Sequence, residues 1–99
     1  PDPVKGFVAI GMSGGGKSTV MDNVMLLKSI HVPVLDLYGE NDLDSVLSSA
    51  NQRRQSIESR KVPASSKRSM QIMVPGADHF FDGQNEVLVK EVLTWLGGL

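Results

Sequence analysis

Cysteine is absent from all 99 residues. Its absence excludes disulfides, thiolate catalysis and zinc–thiolate centres, and is the usage expected in a reducing compartment such as the cytoplasm. No apolar run approaches the ~20 residues that span a bilayer, and Pro1–Lys5 lacks the pattern of a signal peptide, so no membrane partner is expected. Charge of one sign is missing too. Ten basic residues stand against eleven acidic ones, a net charge of −1, which gives no bulk attraction to nucleic acid. Aromatics are scarce, at 5%. The stacking candidates Tyr38, Phe80 and Phe81 fall outside the loose basic cluster of Arg53, Arg54, Arg60, Lys61, Lys67 and Arg68, so that cluster reads as a solvated helix face and loop. No set of metal ligands is assigned.

What remains is one small domain, residues 1–99, whose apolar residues alternate between two periods. Gly6–Ile10 is a short buried strand. From Ser18 to Ile30 the spacing of Val20, Met21, Val24, Met25 and Leu27 predicts a helix. Val32–Tyr38 is a second strand, with Pro33 at its start, where a missing N–H is tolerable. Asp42 or Asp44 caps a helix whose inner face is Leu43, Val46, Leu47, Ala50 and Ile57, with Arg53, Arg54 and Glu58 outside. Arg60–Arg68 is a polar loop. Met70–Val74 is a third strand, stopped by Pro75-Gly76. After Asp82 comes a helix that turns Leu88, Val89, Val92, Leu93 and Leu96 inward and ends at Gly97-Gly98. Met21, Met25, Met70 and Met73 fall on the apolar faces and read as core. Strands alternating with helices predict an α/β fold: a small three-layer parallel sheet of about three strands with helices on both faces. The start at Pro1-Asp2-Pro3, without Met, reads as part of something longer, and a partial sheet leaves an edge free for self-association.

The stretch "IGMSGGGKST", Ile10 to Thr19, supports three readings. As G-x-x-x-x-G-K-[ST] it is a P-loop, in which Gly11, Gly16, Lys17 and Ser18 would bind ATP or GTP with Mg²⁺ and Asp36 would serve as the acid of the following strand. As G-x-S-x-G it is a nucleophile elbow with Ser13 as nucleophile, followed by Asp42 and His79 in the order Ser, Asp, His. The three consecutive glycines make a poor first helical turn for an elbow, since each costs about 1 kcal/mol relative to alanine. As plain glycine-rich chain, it connects a strand to a helix and needs no cofactor.

Two further stretches carry a resemblance. "IHVPVLDLYGENDLDSVL" (Ile30–Leu47) has an apolar strand that runs into G-x-x-D, here Gly39 to Asp42. "MQIMVPGADHFF" (Met70–Phe81) has a strand followed by a histidine loop, and the chain closes on a helix with Trp95-Leu96. Together they resemble the C-terminal half of the α/β-hydrolase fold, nearest a group of uncharacterised bacterial proteins. The resemblance covers about two-thirds of the chain. It implies that Asp42 is the acidic member of a triad and His79 its base, with Asp42 holding the imidazole in one tautomer. In that alignment Gly6–Ser13 matches the strand before the acid strand, so the nucleophile lies upstream and the isolated chain is inactive. The residues also allow plainer roles: Asp42 as a helix cap, His79 as a turn histidine beside Asp78, and His31 as a structural or exposed side chain. A phosphate-binding module and a non-enzymatic partner-binding domain therefore stand beside the hydrolase-like reading.

Overall fold

The computed structural model describes residues 6–12, 27, 30–59 and 69–98. Within them three strands and two helices follow one another as β1 (Phe7–Ile10), β2 (Val34–Asn41), α1 (Asp44–Glu58), β3 (Met70–Asp78) and α2 (Asn85–Gly97). The sheet has the order β1-β2-β3, and both pairings are parallel. The helix expected over Ser18–Ile30 lies almost wholly outside the described residues, although Leu27 is helical and fully buried. The loop at Arg60–Arg68 also lies outside them.

β2 is the central strand, and its sequence explains why. Val34-Leu35-Asp36-Leu37 is continuous and buried, as expected of a parallel strand covered on both faces. Successive side chains point to opposite faces of a strand. Leu35 and Leu37 join Val74, Ala77, Phe81 and Trp95 in one core, against which Val8, Ile72, Leu88 and Val92 pack. That core places α2 on one face. On the other, Val34 meets Leu27 and Ile57, and Asp36 meets α1. The architecture is thus a small three-layer α/β sandwich.

The strands run further than their sequence suggests. Pro75-Gly76 does not stop β3, which continues to Asp78. β3 borders the sheet among the described strands, where a proline without an N–H is tolerated. The register does break there. Leu35↔Met70 through Gly39↔Val74 pair in step, and the next pair is Asn41↔Asp78. Between those two pairs β2 contributes only Glu40, whereas β3 contributes Pro75, Gly76 and Ala77.

The helices depart from expectation in a way that packing explains. On α2, Leu88, Val92 and Trp95 form the stripe seated on the sheet, while Val89, Leu93 and Leu96 remain 53%, 61% and 45% exposed. Two adjacent apolar stripes compete for one narrow sheet, and the stripe holding Trp95 buries the larger surface. Met70 and Met73, expected in the core, are exposed on β3. On α1 the buried face is Val46, Ser49, Ala50, Arg53, Ser56 and Ile57, whereas Leu43 and Leu47 are exposed. Arg53 is therefore inside rather than outside the helix.

Candidate functional site

A parallel sheet collects its strand ends at one carboxyl edge, where α/β folds place their sites. Here that edge receives Gly11 after β1, Asp42 after β2 and His79 after β3.

Asp42 is held by a turn that the G-x-x-D pattern builds. The Asp42 N–H donates to the Gly39 carbonyl at 3.1 Å, and the Gly39 N–H donates back to Asp42 Oδ2 at 3.1 Å. Leu43 N–H donates to Oδ1 at 2.8 Å, and His79 Nδ1 lies 2.8 Å from the same oxygen. Three donors therefore converge on a carboxylate whose side chain is fully buried. A carboxylate so enclosed needs every one of those partners. Neither Asp42 nor Asp44 caps α1. The cap position is Leu43, with no side-chain cap hydrogen bond, and Asp44 sits in the first turn. Asp42 is occupied by Gly39 and His79 instead.

Gly39 has no alternative at its position. A Cβ there would stand 2.3 Å from the Ala77 carbonyl oxygen, because the extra residues of β3 fold directly onto it. Gly11 is crowded from the other side. Its φ is 61°, and a Cβ would stand 2.9 Å from both Cε1 and Nδ1 of His79. The backbone at Gly11, whose N–H donates to the Leu37 carbonyl at 2.8 Å, thus forms a wall against the imidazole.

His79 projects from a turn closed by Asp78. The Asp78 carboxylate accepts the N–H groups of Phe80 at 2.9 Å and Asp82 at 3.2 Å. Phe81 adopts φ 55°, a costly conformation for a bulky residue, and its side chain is buried in the core beside Trp95. Burial of that ring anchors the turn. Phe80 points outward and meets the His79 ring edge-on, with centroids 5.2 Å apart. Because Oδ1 of Asp42 can only accept, the hydrogen-bond network assigns the proton to Nδ1 and leaves the Nε2 lone pair free. Among the described residues nothing bonds Nε2, and the His79 side chain is 30% exposed. With a buried carboxylate behind and a partly exposed nitrogen in front, the imidazole is arranged so that it can accept a proton from a group placed against Nε2.

Asp36, the candidate acid of the phosphate-binding reading, is not at this edge. It lies inside β2 with its Oδ2 2.9 Å from Arg53 Nε, both side chains buried. Gln71 Nε2 donates to the same Oδ2 and to the Ala50 carbonyl, each at 2.8 Å. Arg53 Nη1 donates to the Val46 carbonyl at 2.8 Å and to Ser49 Oγ, and the guanidinium lies over the Tyr38 ring. Sequence reasoning missed this pairing, although a signal was present. Arg53 continues the helical spacing of Val46, Ala50 and Ile57, and a charge inside an apolar strand requires a counter-charge on the facing helix.

Of the loop residues, Gly11 is at the site, whereas Ser13, Gly16, Lys17 and Ser18 lie outside the described residues. Among the described residues no group of three or more His, Asp or Glu side chains could hold a metal, and no helix is long and apolar enough to cross a membrane. Comparison of the chain with protein-family models, curated proteins and solved structures finds no significant match in any of the three.

Proposed function

We propose that Asp42 and His79 form the acid–base half of a hydrolase site of the α/β-hydrolase kind, with a hydroxyl nucleophile supplied from outside the described residues. The observation that carries this reading is the 2.8 Å contact between His79 Nδ1 and a fully buried Asp42 carboxylate, with no described residue bonding Nε2. In such a site Nε2 takes the proton of the attacking hydroxyl and returns it to the leaving group. Asp42 keeps the ring in the productive tautomer and stabilises the imidazolium formed between the two steps. The phosphate-binding reading gains no comparable support, since its candidate acid Asp36 is sealed against Arg53.

The test is labelling by a fluorophosphonate probe of the natural polypeptide that carries this chain. A serine should be labelled, His79→Ala should abolish labelling, and Asp42→Asn should slow it on the order of 10⁴-fold. No labelled serine, or labelling that survives His79→Ala, would reject the proposal. The 99-residue chain alone should show no appreciable esterase or nucleotidase turnover.

A further inference from the structure

The Asp42–His79 contact depends on a step in β3, where its register with β2 breaks. Up to Gly39↔Val74 the two strands advance residue for residue. In that register the residue opposite Asn41 would be Gly76, and His79 would fall beyond the reach of Asp42. The residues inserted before Asp78 take up this offset, so the bulge delivers the histidine. Bulges commonly re-aim a side chain in this way.

The bulge has two fastenings. Below it, Ala77 is fully buried and its carbonyl closes onto Gly39. Above it, Gly76 turns into the left-handed region, with φ 75°, and its N–H leaves the ladder. That N–H donates to Glu40 Oε1 at 2.9 Å. Glu40 is the one residue that β2 places opposite the inserted three, and its side chain is exposed along with Gly76. Water could satisfy an exposed amide equally well. The carboxylate therefore contributes little to satisfying a buried group. What it can contribute is to favour one conformation of a segment that contains a glycine, the residue least restricted in its backbone.

We propose that Glu40 is a positioning residue: by accepting the Gly76 N–H it holds the β3 bulge in the conformation that sets His79 against Asp42. This role concerns the same site as the hydrolase reading, but the geometry it controls is measurable whether or not the chain hydrolyses anything. Glu40 touches neither His79 nor a reacting atom. It acts through the backbone of Pro75–Ala77.

The experiment is ¹⁵N NMR of the histidine side chains in the chain with Glu40→Ala, Glu40→Gln and Glu40→Asp. His31 serves as the internal reference, and urea unfolding confirms that each variant is folded. In the parent His79 should be the Nδ1–H tautomer. Glu40→Ala should shift the ratio of tautomers toward Nε2–H by about twofold, the low end of what one hydrogen bond represents, since water competes for the exposed amide. Glu40→Gln keeps an acceptor at the same reach and should restore the parent ratio. Glu40→Asp keeps the charge but shortens the reach, and should behave like Ala. A His79 tautomer ratio unchanged in Glu40→Ala would overturn the proposal. So would failure of Gln to rescue, or a full rescue by Asp, which would indicate the charge rather than the contact. If labelling in the natural polypeptide requires His79 while these ratios do not move, only the positioning role falls. If the ratios move and no serine is labelled, only the hydrolase reading falls.

Discussion

Two buried aspartates, one within β2 and one just after it, meet opposite fates. Asp36 lies mid-strand and faces a guanidinium as buried as itself. Asp42 lies just past the strand end and faces an imidazole that reaches solvent. Both carboxylates are removed from water, and both are matched by a partner that can carry positive charge. What separates them is access. The first pair is closed on all sides by α1, Gln71 and Tyr38, so its energy goes into fixing a helix on a sheet. In the second, the partner's side chain is 30% exposed and no described residue bonds its other nitrogen. Burial of a carboxylate is therefore no mark of function by itself, and the proposed role of Asp42 rests on the exposure of its partner.

Among the described residues, the sealed pair also leaves two buried polar atoms without hydrogen-bond partners, Asp36 Oδ1 and Arg53 Nη2. A buried ion pair recovers its desolvation cost only with good geometry and full satisfaction, so this one stabilises less than its 2.9 Å contact suggests. Removing one partner is another matter, because it strands a charge.

The largest effect expected from this contrast is that of Arg53→Met, which should destabilise the chain by about 3–5 kcal/mol in urea unfolding. Adding Asp36→Leu to that variant should recover most of the loss, since an apolar pair of similar volume replaces the ions. A single-variant loss below about 1 kcal/mol would place Asp36 and Arg53 among exposed ion pairs and remove the contrast. Next in size is Gly39→Ala. Its Cβ has only backbone to displace, and overpacking of this kind costs about 1–3 kcal/mol. The open site should suffer with it: the His79 Nδ1–H resonance should lose its hydrogen-bonded position, whereas the Asp36–Arg53 pair should persist. Smallest is Arg54→Ala. Arg54 neighbours Arg53 in sequence but faces water, 3.9 Å from Glu58, with both side chains more than half exposed. Its removal should change stability by less than about 0.5 kcal/mol. Two adjacent arginines would then differ by several kcal/mol, because only one of them is buried against a counter-charge.

These contrasts also mark how far the amino-acid sequence could be read. The α/β order was legible because Val34–Leu37 and Met70–Val74 are short apolar runs separated by helical spacing. The meeting of Asp42 with His79 at one edge was legible because both follow parallel strands. Arg53 was not, since a charged residue is assigned to solvent unless its partner is known, and that partner lies on another element. The extent of β3 was hidden as well. Pro75-Gly76 has the composition of a stop, and only the pairing with β2 shows that the strand resumes. On α2 the apolar pattern is broad enough for two faces. Only the width of the sheet decides that Leu88, Val92 and Trp95 are covered and that Val89, Leu93 and Leu96 are not.

The register break between β2 and β3 also divides the molecule into unequal cooperative units. Below it, the ladder from Leu35↔Met70 to Gly39↔Val74 is locked to the core, so its amides open only when the sheet itself unfolds. Above it, a single pair, Asn41↔Asp78, and a turn pinned by Phe81 hold the end of β3. Detaching that end would break no ladder bond below the bulge, but it would withdraw Phe81 from the core and His79 from the buried Asp42 carboxylate. The His79 turn is thus tied to the molecule less by the ladder than by one buried ring and one buried carboxylate.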